Sequence, residues 1–168
     1  MRRLRLRNLL YGYHLGLAGT VYGTIVVMAT ITAGSHGPET VAWELAVAVA
    51  VTVLVFWIAH VYAHTLAESL ERGRRLDTAE FTSIAKRELA MPLAGVAPVA
   101  ILVLSAVGLL RIQTATWLAM GVGIATLAAQ GARYAAFERL SRPASIVAIA
   151  LNVALGLVIV ALKALVGH

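Results

Sequence analysis

Long apolar runs alternate with short clusters of charge along the whole chain. The runs cover residues 11–33, 40–66, 92–110, 114–134 and 143–166. Each is close to the 17–25 or so residues that carry a helix across a hydrocarbon core. The pattern predicts an all-α, polytopic integral membrane protein with five transmembrane helices in a single transmembrane domain, residues 1–168. A polar stretch at 67–91 separates the second and third runs.

Shorter signals refine these elements. Gly12, Gly16, Gly19 and Gly23 lie on one narrow stripe of the first helix at about 100° per residue. Small residues let helix backbones approach closely in lipid, so the stripe predicts a tight helix contact, within the chain or between subunits. The second helix runs past the membrane through Glu71 and Arg72, with Gly73 as its stop. Asp77-Thr-Ala-Glu80 is a capping-box sequence, and Phe81, Ile84, Ala85 and Leu89 recur behind it at helical spacing. A short amphipathic helix is expected there, lying near the inner headgroups. Pro92 and Pro143 sit where a helix can start without a backbone N–H, and Pro98 is placed to bend the third span. Thr40-Val-Ala-Trp43 and Thr114-Ala-Thr-Trp117 open the second and fourth spans alike, a faint echo of a duplicated helix pair.

Charge sets the orientation. Of the 14 Lys and Arg residues, only Arg111 and Lys163 fall on the side opposite the N-terminus. The positive-inside rule then puts the N-terminus and residues 67–91 in the cytoplasm and the C-terminus outside a cell (inner) membrane. Five spans require termini on opposite sides, which agrees. The basic start followed by an apolar run resembles a signal peptide. The run is too long for an h-region and lacks a small-x-small site, so an uncleaved first span is expected.

Composition narrows the classes. At 60% hydrophobic and 13% charged, the chain has about half the charge of a soluble domain. The net charge of +6 resides at helix ends, where it meets lipid headgroups, so the bilayer is the expected partner and nucleic acid is not. There is no cysteine, which excludes disulfides, thiolate metal sites and Cys nucleophiles. No nucleophile–base pair, phosphate-binding Gly loop or HExxH motif occurs, so the chain does not read as an enzyme.

Polar side chains in or near the spans carry the candidate chemistry. His60, His64, Glu68 and Glu71 form one stripe at the inner end of the second helix, and His14 lies at similar depth on the first. Two imidazoles one turn apart suit a divalent transition metal, and carboxylates beyond them could pass a cation towards the cytoplasm. His14 points away from the Gly stripe, and Glu68/Arg72 and Glu71/Arg75 also fit ordinary i,i+4 ion pairs. A b-type haem held by His14 with His60 or His64 is a further alternative. Glu44 and Lys163 sit at matching depth near the outer face and suggest a structural ion pair. Gln130 and Arg133 lie at the inner end of the fourth span, and no Asp or Glu lies near the centre of any span.

The layout resembles the vacuolar iron transporter family: five spans, a cytoplasmic N-terminus and a cytoplasmic segment after an extended second helix. Tyr11-Gly12-Tyr13-His14-Leu15-Gly16 is similar to that family's Tyr-Gly-x-x-Asp-Gly, and Arg142-Pro-Ala-Ser through Leu155-Gly-Leu-Val-Ile-Val to its last helix. The resemblance implies a homodimer and a transition-metal cargo. Leu15 replaces the family's Asp and cannot bind metal, the expected Met and Glu of the second helix have no equivalents, and the acidic domain shrinks to the Glu68–Glu88 region. The expected function is transport or sensing of a transition metal or protons through the His/Glu stripe; the competing class is a non-catalytic scaffold or accessory subunit.

Overall fold

A computed structural model describes residues 2–35 and 40–166, with side chains for 16–35 and 40–165. Among the described residues there are seven helices and no strand: α1 (Arg2–Gly34), α2 (Ala42–Arg72), α3 (Thr78–Arg87), α4 (Ala90–Ala94), α5 (Val96–Ala106), α6 (Ile112–Phe137) and α7 (Arg142–Val166). In α1 (from Gly16), α2, α6 and α7 there is enough apolar length to cross a membrane. The fifth crossing is a bent pair, in which Thr78–Ala94 meets Val96–Ala106 at 42°. The protein is thus all-α and of the multi-pass membrane type.

The third span is broken, where the sequence predicted a bend at Pro98. Pro98 has no N–H for the carbonyl of Ala94, and its ring crowds that carbonyl. The helix yields one turn earlier, at Gly95, whose N–H turns back to Pro92 O at 3.0 Å. A proline bend does fall here, on the N-terminal side of the residue that causes it.

Helix ends follow local chemistry. Gly73 stops α2 at φ 62° and donates its N–H to Leu70 O, as a left-handed C-cap requires. Asp77 and Glu80 form the complete capping box at the start of α3. The ends of α5 and α6 share one motif. Leu109 N–H donates to Leu104 O and Gly108 N–H to Ser105 O; Leu140 N–H donates to Ala135 O and Arg139 N–H to Ala136 O. The left-handed residue is Gly108 (φ 82°) in one and Arg139 (φ 51°) in the other.

The core gathers Val27, Met28 and Ile31 of α1 with Leu45 and Val49 of α2, Leu102 of α5, Met120 and Leu127 of α6 and Ile159 of α7. Glycines set its close approaches. A Cβ on Gly23 would collide with the Met91 carbonyl oxygen and stand 3.0 Å from Met91 Cα, and one on Gly19 would meet Ala90 Cβ at 3.5 Å. The glycine stripe therefore receives α4 of the same chain. Gly16 has open space around it, and the Gly12 side of the stripe lies outside the described side chains. Polar groups within the spans bond mostly to their own helix: Thr24 Oγ1 to Thr20 O, Thr126 Oγ1 to Val122 O and Asn152 Nδ2 to Ala148 O.

Candidate metal centre

The site is assembled by the close approach of α4 to α1. With α4 seated on Gly19 and Gly23, the turn between α3 and α4 is drawn against α2. Trp57 Nε1 donates to Ala85 O at 3.3 Å and fixes α3 from the other side. The residue held at that turn is Glu88, the C-cap of α3.

Three donors converge there. One ligand atom each from His60, His64 and Glu88 lie within 4.8 Å of one another. The two imidazoles, one turn apart on α2, have ring centroids 5.1 Å apart, and the Tyr22 ring lies 5.5 Å from that of His60. Glu88 is only 2% exposed. Its nearest cation is Arg87, with Nε 3.8 Å from Glu88 Oε1. Neither atom has a hydrogen-bond partner. A buried carboxylate oxygen without a donor is costly, by about 1–3 kcal/mol or more for a charged group.

His60, His64 and Glu88 make a His₂Glu donor set with room for a fourth ligand, the pattern of open zinc sites. Tetrahedral bonds of about 2.0–2.1 Å would place ligand atoms roughly 3.4 Å apart, so side-chain rotation has to close the cluster by a little over 1 Å. The haem alternative pairs His14 with His60 or His64, and the side chain of His14 lies outside the described residues.

The other sequence candidates fall elsewhere. Glu68 pairs with Arg72, which also pairs with Glu80. Glu71 is exposed, and at 31 residues α2 is about 46 Å long, so its last turns extend beyond a core of about 30 Å. The stripe therefore divides: His60 and His64 meet the cluster, while Glu68 belongs to an ion-pair network with Arg72, Arg74 and Glu80. Lys163 Nζ donates to Ser35 Oγ and stands 5.8 Å from the Trp117 ring centroid. Glu44 is exposed, and no ion pair joins it to Lys163 among the described residues.

Glu80 anchors that network. Its carboxylate accepts from Arg74 at 2.7 and 3.0 Å, from the Asp77 N–H at 2.9 Å and from Arg72. The Arg74 bonds first, and the Asp77 N–H second, lower its pKa to about 2.

A cavity of about 600 Å³ opens beside the three donors. Its lining is mixed: Tyr22, Gln130, Tyr134 and Asn152 bring polar groups, and Leu17, Val21 and Ile25 of α1 bring apolar ones. Gln130 is buried, and its Oε1 accepts from Arg133 Nη1 at 3.3 Å.

Glu88 is inconspicuous in the sequence because it follows Lys86 and Arg87 and looks like part of the charged flank of an amphipathic helix. Its spacing carries the signal. Ile84, Glu88 and Met91 are four and three residues apart, all on one buried stripe, with exposures of 2%, 2% and 0%. An acid in the middle of an apolar stripe is the feature that marks it.

No family model matches the chain, and no curated protein and no solved structure matches it either.

Proposed function

We propose that this membrane protein binds a divalent transition-metal cation at the inner ends of its helices, through His60, His64 and Glu88, in transport or sensing of that metal. One observation carries the reading: the buried Glu88 carboxylate offers an oxygen within 4.8 Å of a nitrogen of each of two imidazoles, and its Oε1 has no hydrogen-bond donor. A divalent cation would satisfy that carboxylate more closely than Arg87, whose Nε stands 3.8 Å from Oε1 without bonding it. The resemblance in layout to the vacuolar iron transporter family points the same way; with Leu15 in place of that family's Asp, the proposed donors come from α2 and the α3–α4 turn.

The test is calorimetric titration of metal-stripped protein in nanodiscs with Zn²⁺. The expected result is one site in the micromolar range or tighter, lost in His60→Ala/His64→Ala. Weak binding that the double change leaves untouched would instead favour the scaffold reading. The proposed orientation has residues 67–91 in the cytoplasm and the C-terminus outside, from the charge asymmetry. Reporter fusions at residue 80 and after residue 168 check it; an external signal at residue 80 would overturn it.

A further inference from the structure

We infer that the cavity beside His60, His64 and Glu88 takes the metal together with an anionic oxygen-donor chelator carrying a small apolar body. The inference rests on the metal reading above and concerns the form in which the metal is held.

Size is the first argument. A water molecule occupies about 30 Å³ of liquid, so an ion with one or two waters would fill only a small part of about 600 Å³. Cavities of roughly 300–1,000 Å³ are the scale of organic ligands. The position beside the donors also matters, because a His₂Glu set leaves the metal one open place in tetrahedral geometry, and two when it expands to five-coordinate, to be filled from the cavity.

Charge is the second. Neutral imidazoles add none, so a divalent ion on Glu88 leaves one positive charge in excess. Arg87, 3.8 Å from Glu88 Oε1, adds another. Excess charge in a low-dielectric setting is unfavourable unless paired. The missing ligand is therefore an anion. Zinc and its neighbours accept oxygen donors, and the Tyr22 and Tyr134 hydroxyls and the Gln130 amide can donate to a second oxygen on the same ligand.

The third argument is the apolar part of the lining. Leu17, Val21 and Ile25 offer apolar surface that a small inorganic anion would leave uncovered. A hydroxamate, or a 2-hydroxy aromatic acid, has the required combination: a bidentate oxygen head, one negative charge and an apolar body.

Hydroxamates of two sizes serve as probes, with Co²⁺ as the metal because its visible absorption reports coordination. Wild-type protein in zwitterionic nanodiscs is titrated with Co²⁺ alone, then with acetohydroxamate or benzohydroxamate present. Benzohydroxamate should tighten apparent Co²⁺ binding about tenfold more than acetohydroxamate, from the apolar area of the ring against the α1 wall. Ala18 lines the same cavity and is exposed, so Ala18→Trp should fill it, abolish the difference between the probes and leave Co²⁺ binding alone intact. Should Ala18→Trp lose Co²⁺ as well, Val21→Phe makes the same comparison. Equal enhancement by the two probes overturns the inference while the metal site stands. So does a difference that survives filling, which would mark partition into the lipid. Failure of Co²⁺ alone to bind the wild type overturns both readings.

Discussion

The carboxylate of Glu88 lies within 4.8 Å of a ring nitrogen of His64, although an ion-paired carboxylate, Glu68, is only one turn from that histidine along its own helix. Proximity in sequence and in space thus nominate different acids. Glu88→Gln should weaken Zn²⁺ or Co²⁺ binding about as much as His64→Ala. Both losses should exceed about 100-fold, the upper end of what outer-shell changes cost. Glu68→Gln should change affinity by less than about threefold, since it disturbs only an exposed ion pair. Equal effects of Glu68→Gln and Glu88→Gln in calorimetry would place the site further down α2.

Metal affinity should also fall with pH. Only neutral imidazole binds metal, and imidazole ordinarily takes up a proton around pH 6.5. Protonation competes with the ion at two donors, so apparent affinity should drop steadily from about pH 7.5 to 5.5. Titration at four or five pH values checks this; a flat profile would exclude the imidazoles.

The glycine contacts separate two positions that look alike in sequence. Gly23→Leu forces a side chain into the Met91 backbone and should destabilise by about 1–3 kcal/mol or more. It should weaken metal binding too, because α4 carries the turn that positions Glu88. Gly16→Leu meets open space and should stay within about 0.5 kcal/mol. Thermal unfolding in detergent, read beside the Zn²⁺ isotherm, tests both effects.

The paired helix ends offer an internal control. Arg139 occupies a left-handed conformation that disfavours a side chain by about 1–2 kcal/mol. Glycine relieves this but adds chain entropy of about 0.5–1 kcal/mol, so Arg139→Gly should be neutral to about 1 kcal/mol stabilising. Gly108→Leu should destabilise by a comparable or larger amount, despite open space around Gly108. Denaturation midpoints of the two variants should move in opposite directions or, at the least, differ clearly.

Glu80 provides a pH test outside the membrane. Its folded-state pKa is lowered to about 2, below the usual carboxylate value. A lowered carboxyl contributes its stability above the unfolded pKa, near 4.3, and loses it as pH falls through that value towards 2. Docking of α3 should therefore be insensitive to pH from neutrality to about 5 and loosen below about 4. Carboxyl NMR should show the Glu80 midpoint rising towards the ordinary range in Arg74→Ala. An unmoved midpoint would remove Arg74 as the principal cause.

Much of the architecture was legible because lipid makes local rules strict. Apolar length placed all five crossings, Gly73 ended α2, and Asp77 with Glu80 capped α3. These are properties of short segments. The bend at Gly95 was half legible: Pro98 announces it, but its position depends on which carbonyl the ring crowds. The site was less legible still. His60 and His64 share one helix turn and could be paired by spacing, whereas Glu88 joins them only through the fit of α4 against Gly19 and Gly23. That is a tertiary contact, and no periodicity along α2 encodes it. The Glu44–Lys163 pairing likewise rested on matching depth alone; the lysine turns to Ser35 and Trp117 instead.

The break at Gly95 gives the third crossing the mechanics of a jointed lever. Its inner arm carries the Glu88 turn, and its outer arm, α5, has 11 residues and is roughly 16 Å long. A swing of about 10° at the joint would move the far tip by about 3 Å, half a helical turn. A displacement of the Glu88 arm, such as closure of Glu88 onto an ion, would reach α5 only through that joint. A continuous helix in its place, sought with Gly95→Ala/Pro98→Ala, would tie the two arms together.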